Sequence, residues 1–289
     1  MTESQAPTGL PPSLPLRQRL PELLRRPLSR AYWWWHNRGQ HVAAAWFSAD
    51  RRRSVRSLSE VRGRHAGERC FIIGNGPSLK LTDLARLRGE TTFGMNRIYL
   101  AFPDMGFATT YYVSVNSLVI EQCAHEIRQL TMPKFLAWRS RRWMTGDPGV
   151  VFLDADYTSP ATFARDARQR IFEGSTVTYV ALQLAYHMGF TEVVLIGVDH
   201  RFSTQGAPNS TVVARSGDPD HFSPAYFGPG FRWQLPDLQA SEAAYRLARG
   251  AYEADGRRIV DATVGGQLTV FPKAAYDSLF DRTPPAPRR

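Results

Sequence analysis

From Arg69 onward the chain repeats one unit, a short apolar run followed by a stretch with helical periodicity. This alternation constrains the fold most, because strands separated by helices pair in parallel and bury both faces of their sheet under those helices. The expectation is an α/β, Rossmann-like fold: a mostly parallel sheet with helices on both faces and a long lid loop. Strands are expected at Cys70–Ile73, Thr92–Met95, Tyr111–Val115, Lys134–Ala137, Val150–Leu153, Glu192–Ile196 and Arg258–Val260. Helices are expected at Leu79–Arg88, Leu118–Leu130, Pro160–Arg168, Val177–Met188 and Ala240–Asp255. The Val177 helix places Val180, Leu184 and Met188 at helical spacing and ends before Gly189, a suitable C-cap.

Two segments break the alternation. Residues 201–236 have no helical or strand period and are dense in Gly, Pro, Asn and Asp. A loop of that length in a compact domain is usually functional or disordered. With His221, Tyr226, Phe227, Arg232 and Trp233 in it, it reads as a lid that orders over a ligand. Residues 1–66 are rich in Pro, Arg and Trp, with twelve Arg against four acids, so they carry +8 of the total formal charge of +10. The folded body is therefore close to neutral, and the inference from a basic pI to a nucleic-acid partner falls away. Trp33, Trp34, Trp35, Trp46 and Phe47 stand between basic residues in this arm. Such a pattern suits an anionic membrane surface; a helix that packs its Trp face on the domain explains it equally well, and a transit peptide is a third reading. The division expected is a basic arm at 1–66, a nucleotide-binding catalytic domain at 67–280 and a flexible tail at 281–289.

Cys70 and Cys123 are too few for a disulfide framework, which fits a reducing cytosol. No apolar stretch is long enough to span a bilayer, and the N-terminus lacks the order of a secretory signal. The location expected is cytoplasmic, peripheral at the inner face of the membrane if the arm binds lipid.

In open α/β sheets ligands bind beyond the carboxyl ends of the strands. Here those ends are polar: Gly74-Asn75-Gly76-Pro77-Ser78 after Ile73, Asn96 after Met95, Asn116-Ser117 after Val115, and Asp199-His200 after the Ile196 run. Two glycines between a buried strand and a helix let backbone approach a ligand, and amides at a helix start can bind an anionic oxygen. The turn is neither a dinucleotide fingerprint nor a phosphate-binding G-K-[ST] loop. Asp199 is either functional or a carboxylate that caps the next loop. His221 is the natural base for a hydroxyl acceptor, with Tyr226, Arg232 and the first turn as donors to a departing phosphate. Asp154-Ala155-Asp156 after a strand is a weak divalent-cation candidate.

Phe71-Ile72-Ile73-Gly74-Asn75-Gly76-Pro77-Ser78-Leu79-Lys80 followed by Gly94-Met95-Asn96-Arg97-Ile98-Tyr99 resembles the MptE-like family. That family is named for an archaeal 6-hydroxymethylpterin diphosphokinase and includes the motility-associated-factor glycosyltransferases. The same turn, the later asparagines and Val177–Asp199 are similar to the small bacterial CMP-sialic acid sialyltransferases. The resemblance covers roughly Arg69 to Lys273. It implies that Gly74, Asn75, Gly76, Pro77 and Ser78 face the nucleotide, and that Asn96 and Asn116 bind the nucleotide-sugar. Around Ser175 and Thr176 it implies a donor-binding turn, although the serine and preceding arginine of that turn are displaced: Glu173-Gly174-Ser175 stand before Thr176, and the nearest arginine is Arg170. His221 and Tyr226 match the general base and a lid tyrosine.

The function implied is nucleotide-dependent transfer, first a glycosyltransferase moving a nonulosonic acid or related sugar from a CMP-sugar to a hydroxyl of a surface glycan or protein. The alternatives are diphosphoryl transfer from ATP to a hydroxymethylpterin or similar alcohol, and a non-catalytic nucleotide-binding protein docked at a membrane. No firm cofactor is expected; the partners are a nucleotide donor and a hydroxyl acceptor, with Mg²⁺ required only if the chain is a diphosphokinase.

Overall fold

The computed structural model describes residues 48–157 and 162–280. Eight strands form one sheet in the order β10-β7-β1-β2-β3-β4-β5-β6, every neighbouring pair parallel. They are β1 (Arg69–Ile73), β2 (Thr92–Met95), β3 (Tyr111–Ser114), β4 (Lys134–Ala137), β5 (Val150–Asp156), β6 (Arg170–Phe172), β7 (Glu192–Ile196) and β10 (Arg258–Asp261). A separate antiparallel hairpin pairs β8 (Thr211–Val213) with β9 (Arg232–Gln234). The α-helices are α1 (Ala49–Val61), α2 (Phe102–Met105), α3 (Ser117–Gln122), α4 (Ala124–Gln129), α5 (Arg141–Met144), α6 (Val177–Met188) and α7 (Leu238–Ala254). The α/β, Rossmann-like, mostly parallel reading holds. The chain order reverses beside β1, where β2 lies on one side and β7 on the other, and a doubly wound sheet opens its ligand crevice at such a reversal.

β1 is the middle of the core. Cys70, Phe71, Ile72 and Ile73 are fully buried, the near-continuous apolar run that a strand covered on both faces requires. α6 runs beneath it with eleven of its twelve residues buried. Thr176 caps its start, and Gly189 ends it with a left-handed φ of 96°. Phe190 N then reaches back to Ala185 O at 3.2 Å, a closure that satisfies the last helical carbonyls.

The compact unit takes in α1, beginning at Ala49, and α1 buries Arg51, Ser54, Leu58 and Val61 along one face. β6 pairs only with Asp154, Ala155 and Asp156, so the first half of β5 has a bare edge. α1 closes it with side chains: Ser54 Oγ accepts from Phe152 N at 2.9 Å, and Arg51 donates to Phe152 O at 3.0 Å. An uncovered edge would be a template for foreign strands. Trp33, Trp34, Trp35, Trp46, Phe47 and the 281–289 tail lie outside the described residues.

Three expected helices differ. Leu79–Arg88 is two 3-10 turns, Pro77–Leu81 and Leu84–Leu87, because the backbone is extended at Thr82 and Asp83 restarts the chain by capping Ala85 N. Leu118–Leu130 divides at Cys123, where φ is −115°. Residues 162–168 of Pro160–Arg168 are not helical; there Asp166 accepts from the amide and guanidinium of Arg168, a local alternative to helical bonding.

Candidate functional site

A cleft with a cavity of about 270 Å³ opens over the carboxyl ends of β1, β2, β3 and β7. Its wall includes Gly74, Asn75, Gly76, Asn96, Asn116, Ser175, Thr176, Asp199, His221 and Tyr226, so ten of the residues singled out in the sequence converge on one place. All four non-glycine residues with positive φ among the described residues, Asn96, Ser175, His200 and Asn209, line it too. Backbone strain of this kind persists only where surrounding structure enforces it, and it gathers at functional sites.

The first turn is shaped by the protein before any ligand arrives. A Cβ on Gly74 would lie 2.2 Å from Gly197 O, and one on Gly76 would lie 1.8 Å from Asp199 Oδ2. These glycines let the ends of β1 and β7 touch. Ser78 then holds Asp199, its hydroxyl donating to Oδ2 at 2.6 Å and its amide to Oδ1 at 3.2 Å. Ser78 is thus a clasp, Pro77 opens the following 3-10 turn, and neither lines the cleft. Asp199 does line it, but both its oxygens face Ser78, which favours the structural of the two roles considered for it.

Asn75 is 8% exposed. Its Nδ2 donates to Met95 O at 3.1 Å, while Oδ1 has no partner. An orphaned buried acceptor of this kind calls for an occupant. Asn96 accepts from Ser114 Oγ at 2.9 Å. Asn116 caps α3 by accepting from Leu118 N at 2.9 Å, so its amide oxygen is engaged by the helix. Thr176 caps α6 and stands 3.3 Å from Tyr245 OH.

The segment 201–236 folds down on this rim. Phe222 N donates to Asn75 O at 2.9 Å, and the Arg97 guanidinium donates to Ala225 O at 3.0 Å and to Tyr226 O. Gln122 bonds both backbone groups of Arg232, at 2.8 and 2.9 Å. Inside it His221 stacks on Tyr226 at 4.0 Å with the rings 5° from parallel, and edge-on to Phe227 at 4.9 Å. His221 Nδ1 lies 2.8 Å from Asp218 Oδ2. A carboxylate on one ring nitrogen fixes the tautomer and leaves the other nitrogen as the proton acceptor. Burial pushes the Tyr226 hydroxyl up, so it stays protonated. Burial also raises the Asp220 carboxyl, but hydrogen bonds from the amides and hydroxyls of Ser203 and Thr204 outweigh this and hold it below the ordinary range.

Besides Pro77 and Ser78, four expected residues lie away from the cleft. Arg232 pairs with Glu121 at 3.0 Å and docks the hairpin on α3. Trp233 packs on Phe227 and lines a separate cavity on another part of the lid. Asp154 and Asp156 are neutralised by Arg170, at 3.7 and 3.3 Å. Among the described residues no group of three or more His, Cys, Asp or Glu is placed to hold a metal. With Asp199 and Asp220 also engaged by protein donors, the residues present do not fit a carboxylate-held cation. The sequence reading missed Asp218 as partner of His221, and Asn209, Gln234 and Tyr245 as wall residues. The D-x-x-H spacing was the one available signal; the other three reach the cleft only through the tertiary fold.

The 6-hydroxymethylpterin diphosphokinase MptE-like family matches residues 49–205. No curated protein matches. Among solved structures, a MAf glycosyltransferase from Magnetospirillum magneticum AMB-1 is similar at 15% identity and a TM-score of 0.47. The likeness covers 79% of this chain and 39% of that one, so this chain spans about two fifths of its length.

Proposed function

This chain belongs to the 6-hydroxymethylpterin diphosphokinase MptE-like family, and from that membership we propose that it is a nucleotide-dependent transferase of the glycosyltransferase type. The proposed donor is a CMP-linked nonulosonic acid or related sugar, and the acceptor a hydroxyl of a surface glycan or protein. The observation that carries the reading is His221, held at Nδ1 by Asp218, on the wall of the same cleft as the unpartnered Asn75 amide oxygen.

In the step proposed, the acceptor oxygen attacks the anomeric carbon while His221 takes the hydroxyl proton. The bond from that carbon to the phosphate oxygen breaks, and its electron pair leaves with the nucleoside monophosphate. Asp218 stabilises the imidazolium that forms, as a carboxylate does beside a catalytic histidine. The Tyr226 hydroxyl and the positive end of α6 are suited to the departing charge. A monophosphate leaving group carries less charge than a diphosphate, which agrees with a cleft whose carboxylates are engaged by protein donors.

The second reading, diphosphoryl transfer from ATP to a hydroxymethylpterin or similar alcohol, is favoured by the description of the family. Mg²⁺ would then enter with ATP as part of the substrate. Calorimetric titration of CMP, CDP and ATP with and without Mg²⁺ separates the two. The glycosyltransferase reading expects CMP to bind more tightly than ATP with no metal, and N75A to weaken that binding by about tenfold or more with little change in melting. Binding of ATP alone, and only with Mg²⁺, would overturn it. Binding with no turnover on any acceptor would point to the non-catalytic reading.

For the basic arm we propose an anionic membrane surface. No helix among the described residues is long and apolar enough to cross a membrane. Because α1 belongs to the folded unit, the truncation that tests the arm removes residues 1–48 and not 1–66. It should weaken binding to phosphatidylserine vesicles and leave nucleotide binding unchanged.

A further inference from the structure

The residues that follow β7 have a feature that the step above does not use. His200 holds a left-handed φ of 55°, uncommon for a residue with a bulky side chain. With that backbone, His200 and Arg201 both line the cleft. His200 Nε2 lies 3.1 Å from Glu242 Oε1 on α7, and the other oxygen of Glu242 takes Arg246 at 2.7 Å. Arg201 is the one arginine or lysine on the cleft wall, and its guanidinium has no hydrogen-bond or ion-pair partner among the described residues.

The other cations of this rim are engaged. Arg97 holds the lid backbone, Arg139 pairs with Glu173, and Arg170 pairs with Asp154 and Asp156. The cleft therefore lacks an arginine just ahead of Thr176 and has an unpaired one after β7. Thr176, which caps α6, stands 3.3 Å from Tyr245 OH, and the Tyr245 ring lies 6.3 Å from the ring of His200, the neighbour of Arg201 in the chain. The wall also carries the buried Asn75 amide oxygen with no partner. Of the wall's own carboxylates, Asp199 is held by Ser78 and Asp220 by Ser203 and Thr204.

We infer that Arg201 and the start of α6, with His200 as a positioning residue, form an oxyanion subsite that takes an acidic group of the ligand, a phosphate or a carboxylate. A free guanidinium fork matches two oxygens of such a group, the positive end of α6 adds to its field, and His200, held at Nε2 by Glu242, positions the backbone that carries Arg201. The inference rests on the transferase reading only for which molecule carries the acidic group.

The test uses the full chain and four probes measured by calorimetry: CMP, cytidine, N-acetylneuraminate and inorganic phosphate. R201Q should weaken the anionic probe that the wild type binds by at least about tenfold, and leave cytidine unchanged. A response confined to CMP assigns the subsite to a phosphate, and one confined to N-acetylneuraminate assigns it to a carboxylate. R201K should recover part of the loss, because it restores the charge without the fork. H200N removes the imidazole but keeps a residue that tolerates left-handed backbone; it should show a smaller loss on the same probe with unchanged melting. Equal binding by wild type and R201Q, or no anionic probe bound by the wild type, would overturn the inference. CMP bound equally by both proteins, with no other anionic probe weakened by R201Q, would sink the subsite and leave the nucleotide reading standing. N-acetylneuraminate or phosphate bound through Arg201, with no nucleotide bound, would do the reverse.

Discussion

The turn at Gly74–Ser78 and the segment 201–236 meet over one cleft but are built in opposite ways. The turn is held by close approach of backbones: no side chain fits at Gly74 or Gly76, and the Ser78–Asp199 clasp fixes the two strand ends together. The lid has almost no regular structure apart from the three-residue strands β8 and β9. It is held by a stack of rings, His221, Tyr226, Phe227 and Trp233, and by backbone bonds to Arg97, Gln122 and Asn75. The first region answers to sterics and therefore to stability. The second presents chemistry, and its loss should leave the sheet intact.

The sharpest way to break that contrast is H221A. Turnover should fall by about 10²–10⁴, the usual contribution of a positioned general base, while thermal melting stays near the wild type. Equal losses of activity and stability would show the ring to be only a packing element. Next comes G74A, whose added methyl meets the carbonyl of Gly197 and cannot be relieved by a rotamer change. It should cost about 3 kcal/mol by urea denaturation, the upper part of the usual overpacking range, and deplete soluble protein whatever ligand is present. A stable G74A that only loses nucleotide binding would mean that the turn is shaped for its ligand.

The smallest effect concerns acid. Asp220 has a depressed folded value, so its contribution to lid order is fully present above the ordinary carboxylate value of about 3.9 and is lost as pH falls through the lower one. Hydrogen exchange of lid amides should be flat from neutrality to roughly pH 4 and then accelerate, with the core strands protected. D220N should loosen the lid already at pH 7.

The same contrast governs what could be read from the sequence. Seven of the eight strands of the large sheet announce themselves because a strand buried on both faces must be continuously apolar, as Cys70–Ile73 and Val193–Ile196 are. β6 is three residues long, too short for any period to register. α1 escaped because Leu58 and Val61 are the only apolar residues it buries, the rest of its inner face being Arg51 and Ser54. At the cleft, Asn75, Asn96 and Asn116 were legible as polar residues that follow apolar strands. Asp218 showed only as the D-x-x-H spacing before His221, and Tyr245 and Glu242 did not show at all, since each reaches its partner from a helix whose path no local pattern encodes. Arg232, expected as a donor to a phosphate, instead meets Glu121 for the matching reason: a lid residue can face solvent, a helix or the ligand, and spacing does not say which.

The contact between α1 and β5 also bears on the order in which the molecule assembles. Arg51 meets the carbonyl of Phe152 across 101 residues of chain. On a ribosome α1 emerges long before the strand it covers, and loops of that length close late. Until then α1 has little apolar surface to hold it helical, and β5, once made, has a half-open flank. Completion of the sheet at that flank thus joins the beginning of the fold to its middle, a long-range step of the kind that slows folding. Variants at Arg51 or Ser54 should slow productive folding in the cell more than their cost at equilibrium suggests, because the exposed flank can pair with other chains while it waits.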